Sequence, residues 1–317
     1  MSNAFPLPSI FCLMGPTAIG KTELALQLAR SLPIEIISVD SAMVYRYMDI
    51  GTAKPDKNQL QQTPHHLIDL IAPDQLYSAG EFCIDAQAAI QAIQARGKIP
   101  LLVGGTMLYF KSLQQGLLDV PSIPSAVREA LLEELRISSL EVLYAELRRV
   151  DPVLAAKLHP HDQQRILRGL EVYRFTHKAL SLWQKGSRKQ ALIQYINVII
   201  LPADRFKLQQ RINARFKQML SEGFIAEVQQ LRANFALTAS MNSMRSVGYR
   251  QVWDYLEGDC TYEELLNRGA AATRQLAKRQ LTWLRTWPEA IFFNDDDPTL
   301  FATIKNLLLN NLRNTIS

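Results

Sequence analysis

Cysteine is scarce in this sequence. Cys12, Cys83 and Cys260 are the only three in 317 residues, isolated from one another and odd in number. With no C-x-x-C pair, neither a disulfide framework nor a structural zinc site is indicated, and a reducing cytosol fits. Long apolar runs are missing too: none approaches the roughly 20 residues of a membrane span. No Lys or Arg precedes Lys21, so the N-terminus does not read as a secretory signal. A cytoplasmic protein without a membrane partner is expected. No internal repeat or low-complexity tract is visible. What remains is 48% hydrophobic, enough for a full core and for about two structural units at ~150 residues each.

The net charge of +5 is unevenly spread. Residues 1–158 hold 13 Lys/Arg against 16 Asp/Glu, and residues 159–317 hold 22 against 14. Between 159 and 285 the balance is 20 to 10, with Arg outnumbering Lys. Such an excess is the footprint of a polyanion partner larger than one nucleotide, and Arg forks suit phosphate oxygens.

Residues 15–22, "GPTAIGKT", fit the G-x-x-x-x-G-K-[ST] pattern of a P-loop. The context is right, because the apolar "SIFCLM" (9–14) precedes it and the helix-like "ELALQLARSL" (23–32) follows. In that geometry backbone N–H groups face an anion at a helix N-terminus, Lys21 adds a point charge, and Thr22 is placed to ligate Mg²⁺. A bound diphosphate or triphosphate is implied.

Along the chain, "SIFCLM", "IEIISVD" (34–40) and "IPLLVGG" (99–105) read as buried parallel strands, with helices at 21–32 and 79–97. This predicts an α/β fold with a P-loop NTPase-like parallel sheet flanked by helices. After the proline-punctuated "VPSIPSAVRE" the pattern is helical, so 118–191 is read as a helical insertion and 1–117 with 192–317 as the catalytic core. The sheet resumes at "YINVIIL" (195–201), and a long helix from about Asp204 and further helices close the chain.

An ATP-splitting enzyme usually carries a second acid after another strand, yet Gly104, Gly105 and Thr106 follow "PLLV". The candidate acid is Asp40, either a base facing the phosphates or a capping or Mg²⁺-supporting aspartate.

The ordered blocks "GPTAIGKT", "SVDSAMVYRYMDIGTAKP", "PHHLIDL", "YSAGEF", "PLLVGGTMLYFKSL", "HPHDQQRILRGLEVY", "RINARFKQML", "RSVGYRQVWDYLEG" and "ATRQLAKRQLTWLR" span nearly the whole chain. Together they resemble the bacterial tRNA dimethylallyltransferases, or tRNA isopentenyltransferases. The resemblance implies transfer of a dimethylallyl group from dimethylallyl diphosphate to N6 of the adenosine just 3′ of the anticodon. The acceptors it implies are tRNAs reading codons that begin with U, with N6-isopentenyladenosine and diphosphate as products. It also implies Mg²⁺ as cofactor, a tRNA anticodon stem-loop as partner and a monomer.

Carried over residue by residue, the resemblance puts the diphosphate on Gly15, Pro16, Thr17, Ala18, Ile19, Gly20, Lys21 and Thr22, with Arg215 of "RINAR" as a further ligand. Thr22 takes the metal and Asp40 becomes the catalytic acid–base group, helped by Thr17, Lys21 and Arg215. Contact with tRNA falls on Asp40, Ser41, Ala42 and Met43 of "DSAM", on Thr106 and Arg128, and on Gln164, Arg165, Ile166, Leu167 and Arg168. It falls also on Arg245, Ser246, Val247, Gly248, Tyr249 and Arg250. Ile19 departs from the serine frequent in the family, and no C-terminal zinc finger of the eukaryotic kind is present.

In a helix through 274–287, Arg274, Lys278 and Arg285 lie within ~40° of one another and are expected to meet phosphates, with Trp283 and Trp287 opposite, in the core. Tyr109, Tyr249 and Trp253 are equally suited to stacking on a base and to packing in the core. His65 and His66 lack metal spacing and are expected to be packed or hydrogen-bonded. The rivals are an isopentenyltransferase acting on a free adenine nucleotide, a small-molecule kinase and a non-catalytic RNA-binding adaptor.

Overall fold

A computed structural model describes residues 9–116, 120–185 and 193–316. Six strands, β1 (Ser9–Met14), β2 (Ile34–Val39), β3 (His65–His66), β4 (Ile99–Gly104), β5 (Gln194–Leu201) and β6 (Ala290–Asn294), form one sheet in the order β3-β2-β4-β1-β5-β6. Every pairing is parallel. Strands β1, β2 and β4 are buried almost throughout, as continuous Ile/Leu/Val/Phe runs require when helices cover both faces of a parallel sheet. The predicted α/β class is the observed one. Two short strands escape the sequence pattern: β3 has two residues, and β6 alternates too weakly, with Ile291 and Phe292 exposed at the sheet edge.

The helices are α1 (Lys21–Ser31), α2 (Lys57–Gln62), α3 (Ala79–Ala95), α4 (Met107–Gln115), α5 (Ser125–Ile137), α6 (Leu140–Val150) and α7 (Pro152–Ala155). They continue with α8 (Gln163–Thr176), α9 (Leu180–Lys185), α10 (Arg205–Ser221), α11 (Phe224–Asn234), α12 (Tyr249–Leu256), α13 (Tyr262–Arg285) and α14 (Leu300–Ile316). Capping boxes open α3, through Ser78 and Glu81, and α13, through Thr261 and Glu264. Helix α1 differs. Its N-cap is Gly20 at φ 99°, and no side chain caps it. Its first amides are left for a partner from outside the helix.

Two compact units result: Met1–Gln114 with Leu192–Ser317, and Gln115–Ala191. The boundaries expected at 117/118 and 191/192 involve residues outside those described. In the larger unit one core, including Phe82, Phe110, Phe224 and Tyr249, covers one sheet face. A second core, including Leu13, Leu28, Leu281 and Leu308, covers the other. The smaller unit has its own core of Leu131, Leu143, Leu147, Ile166 and Leu170.

Candidate functional site

The loop from Gly15 to Thr22 leaves β1 and enters α1 at the C-terminal end of the sheet, where open α/β sheets bind ligands. Its sharp turn is set by Ala18 at φ 61° and Gly20 at φ 99°. Ile19 is buried in one core cluster with side chains of α1, so it is a packing position. A Cβ at Gly15 would sit 3.0 Å from both Ile19 Cγ2 and the Ile200 carbonyl oxygen.

Lys21 Nζ donates to the Pro16 carbonyl at 2.7 Å. Although the whole side chain keeps some exposure, the ammonium lies deep. Burial pushes it down to about 7; Asp40 works against that shift and Arg215 adds to it. Arg215 on α10 is likewise held below its ordinary value by burial, with Asp40 opposing. One carboxylate thus faces two crowded cations, an arrangement that a bound anion would relieve.

This has a measurable sign. Between pH 7 and about 10.5 the unfolded chain keeps the Lys21 proton and the empty folded site sheds it, so this group makes the unliganded protein more stable as pH rises through that window. An anion raises the folded value again. Binding of an organic diphosphate at pH 8.5 should therefore take up close to one proton, as read by titration calorimetry in two buffers of different ionisation enthalpy. Zero uptake at that pH would contradict the placement of Lys21 against the anion.

Asp40 follows β2. Its Oδ1 accepts from the amides of Ala42 at 2.8 Å and Met43 at 3.3 Å, which fixes the "DSAM" turn. Capping therefore occupies one carboxylate oxygen. Thr106 ties the same turn to the end of β4: its amide donates to the Val39 carbonyl, and its Oγ1 accepts from the Ser41 amide at 3.0 Å. An acid has no room at the last position of β4, because a Cβ at Gly104 would lie 2.1 Å from the Val39 carbonyl oxygen.

Two cavities meet at Asp40. One, of about 410 Å³, is lined by Gly20, Lys21, Thr22, Glu23, His65 and Met43. The other, of about 460 Å³, is lined by Ser41, Thr106, Phe216, Met219, Arg245, Val247, Arg279 and Trp283. Thr17, Asp40, Thr52, Arg215, Leu276 and Gln280 line both.

Several of these residues escape sequence reasoning. Gln280 accepts from the Thr17 amide at 2.9 Å and donates to the Gly105 carbonyl at 2.9 Å, joining the Gly15–Thr22 loop to the Gly-Gly turn. Glu227 accepts the amides of Asp49, Ile50 and Gly51 at 3.0, 2.6 and 3.2 Å, and the Tyr249 hydroxyl at 2.6 Å. The turn that carries Thr52 therefore hangs from α11. Gln280 sits inside the quoted block "ATRQLAKRQLTWLR", one turn from Leu276, and that spacing was the available signal. Nothing local marks Glu227.

Other expectations need correction. Tyr249 is fully buried, as is Tyr109, which stacks on Phe82. Both are core residues, so the tRNA contact assigned to the Tyr249 ring does not fit. Ile166 and Leu167 belong to the core of the helical unit, unlike the exposed Gln164, Arg165 and Arg168. Trp283 was expected inside, yet it is 39% exposed and lines the larger cavity, whereas Trp287 is buried. On α13 the cavity side carries Thr273, Leu276, Gln280 and Trp283. Arg274, Lys278 and Arg285 lie roughly 180° around the helix from it. Arg250 is exposed and is not among the lining residues, while Arg245, Ser246, Val247 and Gly248 are. Trp253 lies under the Arg232 guanidinium. His65 bonds the Thr63 carbonyl and His66 the Glu35 carboxylate at 2.7 Å, as expected.

Among the described residues no group of three or more His, Cys, Asp or Glu could cage a metal. No described helix is long and apolar enough to cross a membrane.

Comparison with known proteins agrees over nearly the full length. The model of the family described as IPP transferase matches residues 43–287. A tRNA dimethylallyltransferase of Coxiella burnetii is 51% identical over 302 residues, covering 95% of this chain and 97% of that protein. The full-length tRNA isopentenylpyrophosphate transferase of Bacillus halodurans superposes with a TM-score of 0.69 at 32% identity, covering 97% of each chain. A eukaryotic dimethylallyltransferase acting on tRNA superposes with a TM-score of 0.81 at 26% identity, over 96% of this chain and 79% of that one. The chain belongs to the IPP transferase family.

Proposed function

We propose that the protein transfers a dimethylallyl group from dimethylallyl diphosphate to N6 of the adenosine 3′-adjacent to the anticodon, in tRNAs reading codons that begin with U. It acts as a cytoplasmic monomer with Mg²⁺. The observation that carries this reading is the meeting of two cavities at Thr17, Asp40 and Arg215. One holds the uncapped start of α1 and Lys21, suited to a diphosphate. The other offers apolar and aromatic walls beside Arg245 and Arg279, suited to an unstacked base on an RNA strand.

In the reaction the adenine nitrogen forms a bond to the allylic carbon as the carbon–oxygen bond to diphosphate breaks, and the electron pair leaves with the diphosphate. The amides of the P-loop, Lys21 and Arg215 neutralise the charge that grows on the leaving oxygen, and Thr17 is placed to donate to it. The amine is too weak an acid to be deprotonated beforehand. Asp40 therefore orients the N–H and accepts its proton as the nitrogen becomes cationic. The donor set fits a Mg²⁺ carried on the diphosphate, since a P-loop hydroxyl with substrate oxygens and water meets its preferences and a protein cage is not needed. Thr22 would hold that ion, which supplies further charge neutralisation to the leaving group. The exposed Arg128, Arg165 and Arg168 of the helical unit suit the RNA backbone.

The test is incubation of the purified protein and Mg²⁺ with labelled dimethylallyl diphosphate and one of three acceptors: an A-rich anticodon stem-loop RNA, AMP or ATP. Label is expected in the RNA alone. Label in a nucleotide, or nowhere, would overturn the reading.

A further inference from the structure

Among the described residues of the helical unit two carboxylates are deeply buried, and they differ in their partners: Asp151 accepts the backbone amides of Leu154 and Ser181, whereas Glu171 faces arginines. The Glu171 side chain, on the inward side of α8, is 4% exposed, and each of its oxygens is taken by a different arginine. Arg128 of α5 donates from Nη1 to Oε1 at 3.2 Å, and Arg168 of α8 from Nη1 to Oε2 at 3.1 Å. Both guanidiniums are about half exposed, at 54% and 49%. Each therefore spends one N–H group inward and keeps the rest of its fork for solvent or a ligand. The cluster carries two positive charges on one negative, a net cation.

The same helix shows what a purely structural pair looks like. Three residues after Glu171, Arg174 is held by two carboxylates, Glu134 at 2.6 Å and Glu146, and is only 30% exposed. That cation is spent and its cluster is net anionic. Burying a carboxylate to hold a single surface arginine adds little stability. Burying one to hold two arginines from different helices does something else: it fixes the separation and orientation of two forks. Arg165, 69% exposed and one turn before Arg168, lies beside this cluster with its charge partly met by Asp162 at 3.3 Å.

We propose that Glu171 is a positioning residue that presents Arg128 and Arg168 as a preformed two-pronged grip for consecutive backbone phosphates of an RNA. This inference rests on the functional reading above and adds a residue to which no RNA role attaches in the sequence. Glu171 does not touch the RNA; it reduces the ordering cost that two free, long side chains would otherwise meet on binding.

The sign of the effect separates positioning from simple charge. Glu171→Gln removes a negative charge beside two guanidiniums, so the electrostatic field alone would tighten RNA binding. Loss of positioning weakens it. We expect Glu171→Gln to bind an anticodon stem-loop RNA roughly tenfold more weakly at low salt, with a log–log salt slope smaller in magnitude by about 1. In turnover it should raise KM for RNA more than it lowers kcat, with diphosphate affinity unchanged. Equal or tighter RNA binding by Glu171→Gln overturns the inference. Arg128→Lys keeps the charge and loses the fork, so it guards against a folding artefact. It should weaken RNA binding with the melting temperature and the salt slope preserved, and unaltered RNA affinity in that variant also overturns the inference. Should the unmutated protein show no salt-dependent RNA binding, the functional reading itself falls, and the inference with it.

Discussion

Replacing Asp40 by Asn should lower prenyl transfer about 10²–10⁴-fold, the usual range for loss of a general base, while leaving diphosphate affinity close to that of the unmutated protein. The choice of Asn follows from the hydrogen bonds. Oδ1 already receives the amides of Ala42 and Met43, and an asparagine oxygen keeps both, so the "DSAM" turn persists. Only the second oxygen changes, from an acceptor to a donor that repels an incoming N–H. Alanine would lose the turn as well and confound the result. Single-turnover transfer to saturating RNA, with diphosphate binding measured separately, checks this. Transfer within about threefold of the unmutated rate would remove Asp40 as a base.

Arg215→Ala carries the second large effect. This side chain lines both cavities, and its guanidinium is held below its ordinary value by burial, with Asp40 opposing. A cation so placed gains more from charge that develops in the transition state than from a resting ligand. Its loss should cost about 10²–10³-fold in kcat, as for other preorganised stabilisers of leaving or forming anions, with a smaller loss in diphosphate affinity. Arg215→Lys should recover part of kcat, since it restores the charge without the fork. If diphosphate affinity fell as far as kcat, Arg215 would be a ground-state anchor only.

Much of this was legible in the sequence, for physical reasons. The strands β1, β2 and β4 are buried on both faces, and so appear as uninterrupted apolar runs. The P-loop announces itself because its turn tolerates few residues at Gly15 and Gly20. The edge strands β3 and β6 do not, being short or half exposed. The tryptophans illustrate a different limit. Helical geometry placed Trp283 and Trp287 on one face, but α13 stops at Arg285, and the turn after it carries Trp287 into the core against Phe110 while Trp283 stays at the cavity. A periodicity argument is valid only as far as the helix runs. Long-range polar hubs were invisible: Glu227 serves backbone amides 176–178 positions earlier in the chain, and no local pattern encodes that reach.

The Gln280 bridge has a consequence in time. The loop from Gly15 to Thr22 is made early relative to its brace: the amide of Thr17 finds its partner only at residue 280, 263 positions on. The turn at 49–51 likewise waits for Glu227. During synthesis the chain therefore carries a P-loop sequence whose brace is missing until α13 has been made. A nascent or truncated chain ending before α13 has the signature of the site and lacks the brace that closes it, so competence to bind substrate waits on a helix far downstream of the loop.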